Sequence, residues 1–168
     1  NKSTAGMEIG KAEHSPYGSH QGEDAARVLE TLGVFINLHT TADKANNPFM
    51  HVSRFIITLQ RSIELSEVMK RLQQDPLVAL TYKTTNNATF AVGRDWGHCG
   101  RILNQTIVVV PSLEVKRNKI YGACFTPQDG NALLSSVAAT LWLRNPKTYL
   151  REMREHILKP PFLFTTEI

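Results

Sequence analysis

Two polar points in this chain could carry chemistry. The first is Ser19-His20-Gln21-Gly22-Glu23-Asp24, where a hydroxyl and an imidazole stand beside a glycine. The second is His51, thirty-one residues after His20, near the start of the run Met50-His51-Val52-Ser53-Arg54-Phe55-Ile56-Ile57-Thr58-Leu59. Imidazole is the side chain whose unperturbed pKa lies closest to neutral pH. A histidine held at the end of a rigid strand can therefore take up and release protons at a fixed place. The run after Val52 alternates loosely and then turns wholly apolar, the pattern of a strand that is half or fully covered. A plainer reading also stands, in which His51 caps the strand by bonding to a backbone carbonyl. Arg54, three residues on, falls on the opposite face of an ideal strand and reads as an ion-pair partner on the sheet surface.

The two cysteines differ in setting. Cys99 is flanked by His98, Arg94 and Arg101, and nearby positive charge lowers a thiol pKa and favours the nucleophilic thiolate. The same Arg94-Asp95-Trp96-Gly97 stretch also reads as a salt-bridged loop under an indole. Cys124, between Ala123 and Phe125, reads as a small core residue. Neither cysteine belongs to a Cys-x-x-Cys pair or a repeating His/Cys spacing, so neither a metal site nor a disulfide framework is expected.

Positioning these groups requires a scaffold, and its elements can be read from periodicity. Residues 1–21 carry little apolar pattern and read as an extended arm. From Glu23 to Leu32, the residues Ala26, Val28, Leu29 and Leu32 approximate one face of a short helix, with Gly33 placed for a left-handed cap. Val34 to Leu38 reads as a strand and 40–48 as a loop. After the His51 strand, Leu65, Val68, Met69 and Leu72 mark an amphipathic helix that stops at Asp75-Pro76. Leu77–Tyr82, Thr89–Val92, Thr106–Val110, Leu113–Val115 and Ile120–Phe125 read as strands, the last two joined by a turn at Lys116-Arg117-Asn118-Lys119. A helix beginning near Asp129-Gly130-Asn131, with Leu133, Leu134, Val137 and Leu141 as its apolar residues, stops at Asn145-Pro146, and another over 147–158 ends at Pro160-Pro161. Strands clustered between helices favour an α+β fold, a mostly antiparallel mixed sheet with helices packed on one face.

The 168 residues suggest a single domain over 1–168, able to bury a core without staples. An apolar fraction of 42% and a charged fraction of 20% argue against disorder, and no apolar run reaches the ~20 residues of a membrane span. The formal charge of +4 is spread among acids, which gives nucleic acid no binding stripe and leaves a phosphorylated small molecule as a suitable partner. Scarce cysteine points to a reducing, cytoplasmic setting. The chain begins at Asn1 without an initiator methionine or a basic-then-apolar leader, so further residues are expected upstream.

The order of these motifs resembles the catalytic and oligomerisation (C-terminal) domain of archaeal-type glyceraldehyde-3-phosphate dehydrogenases. There a Ser-His-His-Gly-Pro-Asp segment precedes a Met-His-Val-His strand, a short helix and an apolar strand. Here the same order runs through Ser19-His20-Gln21-Gly22-Glu23-Asp24, Met50-His51-Val52-Ser53, the helix over 64–72 and Leu77-Val78-Ala79-Leu80. It continues through Lys119-Ile120-Tyr121, Gln128-Asp129-Gly130 and the helix over 133–141, covering roughly Ser19 to Leu143. The resemblance implies oxidation of a small aldehyde, phosphorylated or not, with NAD or NADP. His51 would be the general base, a role worth typically ~10²–10⁴-fold, and Ser19 and His20 would lie near a substrate phosphate. Asn131 would stand in for the residue that holds the nicotinamide amide. It also implies a homodimer or homotetramer.

The departures are specific. Gln21 and Ser53 replace the second histidine of each pair. The family's nucleophilic cysteine precedes the region matched here, which leaves Cys99 as the candidate replacement. No Gly-x-Gly-x-x-Gly follows a strand, so a nucleotide-binding domain is absent from this chain and would come from another domain or partner chain. The rival reading is a noncatalytic oligomerisation or regulatory module that keeps the fold without nucleophile or dinucleotide site.

Overall fold

In the computed structural model, residues 8–9, 20–40, 43–44, 50–96, 104–127, 132–160, 162–163 and 168 are described, with 8–9, 20–21, 43–44 and 93–96 described by backbone alone. They fall into two compact units, Asn1–Asn47 and Pro48–Ile168.

The first unit holds β1 (Glu8–Ile9) paired antiparallel with β2 (Asp43–Lys44), and α1 (His20–Glu30). Helix α1 starts three residues before the expected Glu23. A turn over 31–33 closes the helix, and Gly33, with φ of 73°, takes the left-handed conformation that the glycine spacing signals. Gly22 is buried, and a Cβ there would meet Thr40 Oγ1 at 2.8 Å, closer than a side chain allows. The expected strand over 34–38 is absent. Those residues are exposed coil, Phe35 by 80%, with no ladder partner among the described residues. Apolar content alone does not make a strand where no neighbour supplies backbone hydrogen bonds.

The second unit is built on a five-stranded mixed sheet: β3 (Met50–Thr58), β4 (Val78–Thr81), β5 (Thr106–Val109), β6 (Glu114–Lys116) and β7 (Lys119–Pro127). The strand order is β3-β7-β5-β4, and β6 pairs with the start of β7. β7 is antiparallel to β3, β5 and β6, while β4 and β5 are parallel. Most ladders are therefore antiparallel, as expected, although β7 alone runs against the other four strands.

Helix α2 (Leu65–Gln74) connects β3 to β4, and α3 (Asn86–Trp96) connects β4 to β5. The expected strand over 89–92 is part of α3. Thr89 and Val92 carry strand propensity, but Thr89 is fully buried and bonds Thr85 O through both its N–H and its Oγ1, while Phe90 and Val92 pack on the core. Tertiary burial outweighs a propensity worth under ~1 kcal/mol per residue.

That helix changes the layering. The chain crosses the sheet one way from β3 to β4 and back the other way from β4 to β5. Right-handed crossovers then set α2 and α3 on opposite faces. Packing agrees: α3 places Phe90 and Val92 on the cluster of Met50, Ala79, Ile107, Val109, Phe125 and Ile168. Helix α2 places Val68 and Leu72 beside Leu59 and Ile120, and Ile120 lies on the other side of the pleat from Phe125. The expectation of helices on one face is thus corrected to helices on both.

Two details hold the sheet centre. A 3₁₀ turn, Val110–Ser112, interrupts the line from β5 to β6, and Ser112 Oγ fills the break: it donates to Val109 O at 2.6 Å and accepts Ala123 N–H at 2.8 Å. Phe55 lies over its register partner Gly122, where a Cβ would come within 2.5 Å of Phe55 Cζ and 2.9 Å of Leu113 Cδ2. On the far side, Ile168 extends the β4 edge, its N–H donating to Leu80 O at 2.9 Å and its carbonyl accepting Thr81 Oγ1 at 2.6 Å. The turn expected at 116–119 joins β6 to β7, with Arg117 at φ 58°. Helix α4 (Leu133–Arg144) follows, and α5 (Tyr149–Glu152) widens into a π turn over Met153–Ile157, in place of one helix over 147–158.

Candidate functional site

Strand β3 is pinned to β7 through nine successive register pairs, Met50↔Pro127 to Thr58↔Lys119. Its first residue, Met50, is 1% exposed and belongs to the core cluster. His51 is next in the chain, on the opposite side of the pleat, and is exposed. A buried neighbour and an unbroken ladder fix its backbone while its ring faces solvent. A proton carrier at a strand end needs that combination.

The register identifies the groups around it. Directly opposite residues of an antiparallel pair share a face, so His51 lies with Thr126, then Ser53 with Cys124, Phe55 with Gly122, and Ile57 with Ile120. Thr126 and Ser53 offer hydroxyls beside the imidazole. Neither was singled out from spacing as a companion of His51, although alternation along the run 50–59 already puts Ser53 on its face. Cys124 is the diagonal neighbour of His51, but it is buried, and burial pushes its thiol pKa up. Its role as a core residue follows, since a thiol kept protonated is a poor nucleophile.

His20 opens α1 in the first unit. Ser19, Cys99 and Asn131 lie outside the described residues. Arg54 is exposed and makes no ion pair among the described residues, so its expected salt bridge is absent there. No cluster of three or more His, Cys, Asp or Glu side chains that could hold a metal ion occurs among the described residues. No helix among them is long and apolar enough to cross a membrane. A cavity does open in the second unit, but beyond the opposite end of β3, between Leu59 and α2.

The described residues offer no dinucleotide cradle. Such a cradle uses a glycine-rich turn from a strand into a helix N-terminus. The β4-to-α3 turn, Tyr82-Lys83-Thr84-Thr85, has no glycine.

Compared with known proteins, the sequence matches no protein-family model and no curated relative.

Proposed function

We propose that this chain is the catalytic-domain portion of an aldehyde-oxidising enzyme of the glyceraldehyde-3-phosphate dehydrogenase type, with His51 as general base. The observation that carries the reading is the setting of His51: an exposed imidazole one residue past a buried anchor, on a strand held along its whole length. The ordered motifs from Ser19 to Leu143 supply the reaction class. Aldehyde oxidation through a thiol adduct requires a base to take the adduct's hydroxyl proton, and that role is assigned to His51. Ser19 and His20 are assigned to the substrate phosphate, and Asn131 to the nicotinamide amide. The nucleophile is a thiol other than Cys124: Cys99, or one supplied with the nucleotide-binding part. NAD or NADP would be held by that separate domain or partner chain, since the sequence carries no Gly-x-Gly-x-x-Gly after a strand, and no step on the cofactor is assigned to this chain.

The exposed apolar residues of β3, Val52 at 55%, Ile56 at 65% and Ile57 at 46%, support burial against a sister subunit in a homodimer or homotetramer. They equally support a noncatalytic oligomerisation module, the reading favoured by Gln21 and Ser53 standing where the resemblance calls for a second histidine in each pair.

The deciding experiment supplies the native protein, in its full assembly, with NAD or NADP and a series of small aldehydes with and without a phosphate. Aldehyde-dependent formation of reduced nicotinamide supports the enzyme. An assembly that sediments as a stable oligomer and reduces neither cofactor with any aldehyde supports the module instead.

A further inference from the structure

The cavity beyond the far end of β3 is unrelated to the His51 chemistry. Eight residues of extended chain, ~26 Å, separate His51 from Leu59 on its wall. It is an open-sided hollow of about 710 Å³ lined by Leu59, Gln60, Arg61, Ile63, Val68, Arg71, Leu72 and Ile120. Its floor is aliphatic, and the charged groups of its lining are the two guanidiniums. A volume in the range of ~300–1,000 Å³, apolar walls and a few polar groups at the rim describe a small-molecule site.

Charge at the rim is not balanced. Arg61 Nη2 reaches Glu67 Oε1 at 3.3 Å, and Arg71 donates to the same oxygen from Nε at 3.1 Å and Nη2 at 2.7 Å. Two guanidiniums against one carboxylate leave a net positive charge. Glu67 also orients both forks, while the Arg71 Nη1 and the Arg61 Nε and Nη1 donors have no partner among the described residues. The β6–β7 turn adds to the field. Asn118 is tied to Leu59 twice, donating from Nδ2 to Leu59 O at 2.8 Å and accepting the Leu59 N–H at 2.8 Å, which brings Arg117 and Lys119 to the same end of the sheet. Lys116 is matched by Glu114, but Arg117 and Lys119 meet no acid among the described residues.

We propose that this cavity binds a single-chain amphiphile with a carboxylate head, the aliphatic tail lying on Ile63, Val68, Leu72 and Ile120 and the head bonded by Arg61 and Arg71. A planar carboxylate matches a guanidinium fork in geometry as well as charge. The proposal is independent of the dehydrogenase reading and stands whether or not the chain turns over an aldehyde.

Calorimetric titration of the native protein with dodecanoate, kept below micelle-forming concentrations, tests it. Saturable binding at one site per chain is expected, tightening by roughly two- to fourfold for each methylene between octanoate and dodecanoate. Arg61→Gln and Arg71→Gln, both at exposed side chains and expected to leave the circular dichroism unchanged, should each weaken binding about three- to tenfold. Lys147→Gln on the α4–α5 connection serves as control and should not. Dodecyltrimethylammonium, with the same tail and the opposite charge, should bind far more weakly than dodecanoate. Non-saturable uptake of dodecanoate, equal binding of the cationic amphiphile, or unchanged affinity in both arginine variants would each overturn the assignment.

Discussion

Strands β3 and β5 flank the same central strand and are similarly apolar, yet they end in opposite environments. On β5, Ile107, Val108 and Val109 are 0%, 4% and 5% exposed, whereas on β3 Val52, Ile56 and Ile57 keep half or more of their surface, or close to it. β5 is enclosed by β7 on one side and β4 on the other, with α3 packed over the face that carries Ile107. β3 is the last strand of the described order and has a ladder on one side only. Place in the sheet, rather than composition, decides which strand becomes core. The strand carrying His51 is therefore held along its backbone by one ladder and exposed along most of its side chains.

The sharpest way to break this contrast is to truncate one residue on each strand. Ile107→Ala should destabilise the second unit by ~2–5 kcal/mol, because it leaves a cavity in a filled core. Ile56→Ala should change stability by no more than ~0.5 kcal/mol. Denaturant unfolding of both variants measures the difference. Equal costs would mean that Ile56 is buried in the native assembly, and the cost would then depend on protein concentration.

The contact that joins the exposed strand to the central strand β7 comes next. Gly122→Ala would drive a methyl group into Phe55 and Leu113, for an expected loss of ~1–3 kcal/mol. Part of that loss should return in the Phe55→Ala/Gly122→Ala double variant, since the clash has lost its partner. Simple additivity of the two losses would show that Phe55 does not lie over Gly122. Ser112→Ala should cost less, ~1–2 kcal/mol, by leaving Ala123 N–H without its acceptor at the break between β5 and β6.

The smallest effect concerns Cys124. Burial raises its thiol pKa in the folded state, so the native protein holds this proton at pH values where the unfolded chain releases it. Its contribution is fully present below the unfolded thiol's pKa and is lost as pH rises through the window from the unfolded to the folded value. Wild type should therefore lose stability relative to Cys124→Ala as the pH is raised above that of an ordinary thiol, and should keep Cys124 unalkylated by iodoacetamide until it is unfolded. A pH profile identical in the two proteins, or ready alkylation of the folded chain at Cys124, would contradict its place in the interior.

The legible parts of the fold were those in which local pattern and tertiary context agree. The helix of Leu65, Val68 and Leu72, the strands at 77–82, 106–110 and 120–125, the cap at Gly33 and the turn at 116–119 all follow from periodicity or from a residue suited to positive φ. The misreading at 89–92 had the widest consequence. Two β-branched residues and a phenylalanine imitate a strand, and replacing α3 by a strand erased the second crossover and with it the second helical face. The segment 34–38 erred in the same direction, since its apolar residues could not announce that no strand would pair with them. At the site, the strand-start position of His51 is readable from Met50 and the run that follows, but the exposure of that strand is not: its apolar run reads as covered, whereas Val52, Ile56 and Ile57 are exposed because β3 has a neighbour on one side only. Nor is Thr126, the hydroxyl companion of His51, because it comes from β7 through a register that depends on long-range pairing rather than on neighbours in sequence.

The most direct test replaces His51 with Gln in the native assembly and compares aldehyde-dependent nicotinamide reduction with wild type, with circular dichroism recorded on both. The account predicts an unchanged spectrum and a rate lowered by ~10²–10⁴-fold, the loss expected for a general base. A folded His51→Gln protein that turns over aldehyde at the wild-type rate would contradict it.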